Sequence, residues 1–107
     1  MKGTVYILCD PSTDSYKIGM TRSHASKRIK ELQTGNPTEI HLVKKFDTQI
    51  PFFIETSLHN YFMDKRLINE WYGLSSQDII DFEKICQKYE DIAEILKDNP
   101  FFKAESI

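Results

Sequence analysis

Thr4-Val5-Tyr6-Ile7-Leu8-Cys9 runs into Asp10-Pro11-Ser12-Thr13-Asp14-Ser15 and then Tyr16-Lys17-Ile18-Gly19-Met20. The first run is rich in β-branched and aromatic residues, which fit a pleated, buried surface, and it reads as a strand. Its apolar residues fall on both faces, as in a strand with neighbours on either side. The middle residues are turn formers: Pro presets φ, while Asp and Ser bond their own backbone. The third run reads as the returning strand of an antiparallel hairpin, with a loop of about six residues.

Outward from this hairpin the periodicity changes from two to about 3.6. Thr21 to Gly35 reads as a helix in which Ser23 can cap and Ala25, Ile29 and Leu32 share a face. Gly35-Asn36-Pro37 would stop it. Ile40 to Phe46 reads as a third strand. Pro51 suits the first turn of a second helix, where its missing N–H costs nothing, and Ile54, Leu58 and Phe62 recur as a core stripe. Asn69 to Leu74 is aromatic but irregular and is read as a loop or short strand. Ser75-x-x-Asp78 resembles a capping box opening a third helix. On that helix Ile79, Phe82, Ile85/Cys86, Tyr89, Ile92/Ala93 and Leu96 line one side, until Asn99-Pro100 ends it. The expectation is an α+β fold, a small three-stranded antiparallel sheet flanked by helices in the order ββαβαα. It forms one domain over residues 1–98, with a tail at 99–107.

The bulk composition agrees with one core. The chain has 107 residues, 40% of them apolar, which suits a single globular domain rather than disorder. Cys9 and Cys86 are the only cysteines, without CxxC spacing, which argues against a disulfide scaffold or structural zinc. No apolar run approaches the ~20 residues a membrane span needs, and no signal-peptide pattern opens the sequence. The expected location is the cytoplasm, or a nucleoid or nucleus in a eukaryotic or viral setting, with no membrane partner. The formal net charge is −2, but residues 1–45 carry eight Lys/Arg against four Asp/Glu. Residues 74–107 are net acidic. A phosphate-binding face needs local positive potential rather than a basic total, and the first 45 residues can supply it.

Four pieces then occur in order: Val5-Tyr6-Ile7 with Tyr16-Lys17-Ile18-Gly19, Arg28 to Pro37, Glu55 to Phe62 with His59, and Asn69-Glu70-Trp71-Tyr72. Together they resemble the GIY-YIG nuclease superfamily, and more narrowly its small branch related to phage open-reading-frame and meiotically up-regulated gene products. The resemblance spans residues 3 to about 74. It implies a DNA endonuclease in which two strand motifs, a helix arginine and a helix glutamate build one site.

The chemistry that the resemblance implies can be assigned residue by residue. Phosphodiester hydrolysis needs a positioned water, charge neutralisation on the phosphoryl oxygens, and help for the leaving 3′-oxygen. Tyr6 matches the tyrosine beside the attacking water. A phenol is a poor base unless cations favour its phenolate, and Lys17 and Arg28 are the expected cations. Arg28 matches the arginine that braces phosphoryl oxygens. Glu55 matches the metal-binding glutamate, implying one Mg²⁺ or Mn²⁺ held weakly in the absence of DNA. Gly19 gives the backbone room near the site. Most members have tyrosine where Lys17 stands, and many have His or Tyr where Leu32 stands. His59, one turn from Glu55, is the expected substitute for the latter, as a phosphate ligand or proton relay. Asn69 is the candidate for a late family asparagine. Tyr16, Lys27, Lys30 and Trp71 are candidate nucleic-acid contacts, Trp71 by stacking on a base. So small a domain has little surface for reading a long site, so specificity would be absent or come from a homodimer or a partner protein. Two other readings are a catalytically silent DNA-binding module of the same fold and a protein-interaction domain using the acidic third helix.

Overall fold

The computed structural model of the chain describes residues 2–35 and 39–101. The expected hairpin is present as β1 (Gly3–Asp10) and β2 (Ser15–Thr21), with Tyr6 opposite Gly19 and Leu8 opposite Lys17. Asp10 closes the turn by accepting from the Ser12 N–H and hydroxyl. Helix α1 (Ala25–Thr34) and strand β3 (His41–Thr48) follow, and β3 pairs antiparallel with the other edge of β1. Helix α2 (Pro51–Tyr61) begins with its proline in the first turn. A short 3₁₀ turn (Met63–Lys65) then leads into β4 (Arg66–Ile68), β5 (Trp71–Tyr72) and the long helix α3 (Ser76–Leu96).

The sheet is therefore five-stranded rather than three-stranded, in the order β3-β1-β2-β5-β4. Two features hid the extra strands. They hold three and two residues, too few to show alternation, and an irregular turn separates them. At that turn Asn69 has a φ of 52°, a left-handed conformation that asparagine tolerates better than most residues. Helix α1 also starts later than Thr21. Ser23 does not cap it, because its hydroxyl bonds that of Thr21, and His24 occupies the cap position without a side-chain bond. Asn36 and Pro37, the expected stop, lie outside the described residues, as do residues 102–107.

Alternation along β1 builds two apolar layers. Val5 and Ile7 point to one face, with Ile18, Ile54, Leu58, Phe62 and Phe82, and this face carries α2 and α3. Tyr6 and Leu8 point to the other, where Ile29 and Leu32 of α1 cover them with Ile40 and Trp71. The stripes expected on all three helices thus face the sheet. Phe82 is fully buried, which contributes roughly 1.5–3 kcal/mol by area alone and ties α3 to the core. The Ser75–Asp78 capping box satisfies the start of α3 in both directions. Burial pushes the Cys86 thiol up to about 12, so it behaves as a small hydrophobe. Among the described residues no helix is long and apolar enough to cross a membrane.

Candidate active site

Strand β5 is so short that it pairs with β2 only at Tyr16 and Lys17. Beyond Lys17 the outer edge of β2 has no strand beside it, yet its backbone groups are not left bare. The Ile18 N–H reaches the Glu70 carbonyl at 3.3 Å. The Ile18 carbonyl accepts from His59 Nε2 at 3.0 Å, and the Met20 N–H bonds the Glu55 carboxylate. The spacing explains why a helix can do this. Two residues along a strand advance about 6.6 Å, and four along a helix about 6 Å, so side chains one turn apart meet alternate outward groups of the strand. Because a carbonyl can only accept, His59 carries its proton on Nε2, leaving the neutral ring's lone pair on Nδ1. The His59 ring also stacks on Tyr72, with centroids 5.7 Å apart.

Gly19 holds the other half of the site. A Cβ there would lie 2.7 Å from the Tyr6 hydroxyl oxygen and 2.8 Å from the carbon bearing it. The buried Tyr6 ring lies across the bare backbone of the opposite strand, a path that only glycine leaves open. The Tyr6 hydroxyl is hydrogen-bonded to the Arg28 guanidinium of α1. Arg28 also meets Glu31 at 3.4 Å, but its side chain remains 42% exposed and keeps donors for a ligand. The bond to Tyr6 raises the pKa of Arg28 above its ordinary value, so its charge is permanent.

The electrostatics of the phenol follow from its burial. Burial raises the Tyr6 phenol above its ordinary value, outweighing the opposing influence of Arg28, while Glu55 and Glu70 push the same way as burial. Lys17 is not aimed at the phenol. Its ammonium pairs with Glu70 at 2.9 Å and lies 5.9 Å above the Trp71 ring. Tyr6 is therefore a neutral phenol at physiological pH rather than a phenolate. Burial also raises the Glu55 carboxyl, with His59 opposing and Glu70 adding to the shift.

Tyr6, Lys17, Gly19, Arg28, Glu55 and His59 thus gather around β2 from four elements. Trp71, partly buried, packs beneath Lys17 as part of the α1-side layer. Tyr16 packs into the opposite layer beside Cys9. Lys27 and Lys30 are exposed on α1. Asn69 is a turn residue whose carbonyl accepts from Arg66 at 2.7 Å. With Arg66, Glu70, His59 and Tyr72 it borders an open cleft of about 520 Å³ next to the site. Glu70 was not singled out among the site residues. The β5–β2 pairing delivers it, and its one signal was an acidic residue beside the Trp71-Tyr72 pair.

A model of the T5orf172 domain matches residues 3–89, a span that holds every residue of this cluster. The chain belongs to the T5orf172 domain family. No curated protein and no solved structure matches it. For this T5orf172 domain two stability consequences follow from the geometry. Gly19→Ala should cost about 1–3 kcal/mol in urea unfolding, because the Tyr6 ring is too buried to step aside; an unchanged midpoint would mean the ring can move. Glu55→Gln keeps an acceptor for Met20 but cannot ionise. With its folded pKa raised, wild-type Glu55 contributes fully below its unfolded value and loses that contribution as pH rises through the folded one. In EDTA the variant should therefore melt above wild type at about pH 7, and the gap should close near about pH 4.

Proposed function

We propose that the chain is a divalent-metal-dependent DNA endonuclease of the GIY-YIG type. One observation carries the reading. A phenol, a guanidinium, an ammonium and a carboxylate from four elements converge on a four-residue segment of β2, inside a domain of the T5orf172 family. The donor chemistry fits a hard or borderline divalent ion, since the Glu55 carboxylate, a His59 ring nitrogen and the Glu70 carboxylate lie within 4.8 Å of one another.

Water attacks phosphorus and gives its proton to a neighbouring water as the P–O3′ bond breaks and O3′ takes up a proton from solvent, and charge builds on the phosphoryl oxygens and the leaving oxygen. Arg28 is placed to meet the first, since its fork can brace two oxygens while one donor holds Tyr6. Tyr6, as a neutral phenol, accepts from Arg28 and offers its O–H to a phosphoryl oxygen. This orients the attack rather than supplying a strong base. Lys17 adds a second positive charge when a phosphate competes with Glu70 for it. A divalent ion at Glu55 would supply Lewis-acid stabilisation of the leaving 3′-oxygen. His59, fixed by the Ile18 carbonyl through Nε2, keeps an Nδ1 lone pair, and one of its ring nitrogens lies within 4.8 Å of Glu55.

Supercoiled plasmid with Mg²⁺ or Mn²⁺ is the test. Nicking should appear, disappear with EDTA, and be abolished by Glu55→Ala, while Arg28→Ala should lower the rate by ~10²–10³. Unchanged cleavage by Glu55→Ala would overturn the assignment. Salt-sensitive DNA binding without nicking would mark a silent binding module instead. Neither binding nor nicking would leave the protein-interaction reading.

A further inference from the structure

No step of the mechanism above uses Glu70 except its pairing with Lys17, yet its carboxylate, like a ring nitrogen of His59, stands within 4.8 Å of Glu55. Three donor atoms bound 2.0–2.2 Å from one ion lie roughly 3–4 Å apart, so closing the three groups onto an ion needs a shift of about 1 Å, within the reach of side-chain rotation. Two of the three ligands are already oriented from outside the cluster. The Ile18 carbonyl takes the His59 Nε2 proton, the backing arrangement that commonly frees the other ring nitrogen of a ligating histidine. The Met20 N–H holds the Glu55 carboxylate. The third ligand is tethered beside the left-handed Asn69 turn and is held, for now, by Lys17.

We infer that Glu55, His59 and Glu70 form a three-ligand site for a transition-series divalent ion, with Lys17 as the counter-charge that occupies Glu70 until the ion arrives. The inference deepens the endonuclease reading by naming the class of metal at its site. It departs from the weak, one-carboxylate site that the family resemblance implied. An imidazole nitrogen among the ligands favours Zn²⁺ and Mn²⁺ over Mg²⁺, which prefers oxygen ligands and retained waters. Ion binding also has a structural consequence. It draws Glu70 from Lys17 and leaves the ammonium free for a phosphate, so metal and DNA binding reinforce each other.

The test needs neither DNA nor turnover. The full chain is titrated with ZnCl₂, MnCl₂ and MgCl₂ by calorimetry. The emission of Trp71, the single tryptophan, is followed alongside, since Lys17 lies over its ring. One ion should bind per chain, in the order Zn²⁺ tighter than Mn²⁺ tighter than Mg²⁺. Glu70→Gln, a change at a half-exposed side chain that the fold should tolerate, and His59→Gln should each weaken Mn²⁺ by at least ~10-fold, and His59→Gln should also erase the preference for Zn²⁺. Wild-type Mn²⁺ affinity in Glu70→Gln would overturn the inference, as would the absence of saturable binding. If plasmid nicking is intact while Glu70→Gln binds Mn²⁺ normally, this inference alone fails. If the ion binds as described and nothing is nicked, it stands and the endonuclease reading fails.

Discussion

The outer edge of β2 between Ile18 and Met20 lacks a partner strand, and the rest of the site follows from how that edge is satisfied. A buried carbonyl or N–H left without a partner costs about 1–3 kcal/mol, enough to matter in a domain of ordinary stability. Helix α2 removes the cost by sending Glu55 and His59 to the two groups. This fixes the rotation and height of α2 against the sheet, with Ile54 and Leu58 buried beside them. The same bonds that complete the sheet therefore place a carboxylate and an imidazole side by side at its edge. Structure and candidate chemistry are one arrangement here. Its electrostatic cost shows in Glu55, whose ionised form is disfavoured by burial and by Glu70.

On the inner side of the same segment the constraint is steric. Gly19 is the residue over which the Tyr6 ring passes, and the contact brings the phenol oxygen to Arg28. Burial wins over the guanidinium in setting the phenol's protonation, because desolvating an anion outweighs one partly exposed cation. In the proposed mechanism that makes Tyr6 an orienting group rather than a base. There the charge stabilisation falls to Arg28, whose side chain solvent can reach.

Much of this was legible in residue order. The β1–β2 hairpin, the apolar faces of three helices, Pro51 at a helix start and the Ser75–Asp78 box all depend on local spacing, and local spacing is what a sequence displays. The strands β4 and β5 were not legible as strands. Three and two residues cannot show a period, and their pairing with β2 is long-range. Glu70 was missed for the same reason, since nothing near it in the chain says that Lys17 will be its partner. The pairing of Tyr6 with Gly19 could have been read from the hairpin register. The protonation of Tyr6 could not, because it depends on how deeply the finished fold buries the ring.

The claim at the centre of this account is that Tyr6 and Arg28 act as one unit across Gly19. A double-mutant cycle on the plasmid-nicking rate, with Tyr6→Phe, Arg28→Lys and the pair, tests it most directly. Two groups that share a hydrogen bond and a transition state should be strongly non-additive, the double variant losing little more than the worse single one. Losses that multiply would contradict the account, because the two side chains would then be acting independently.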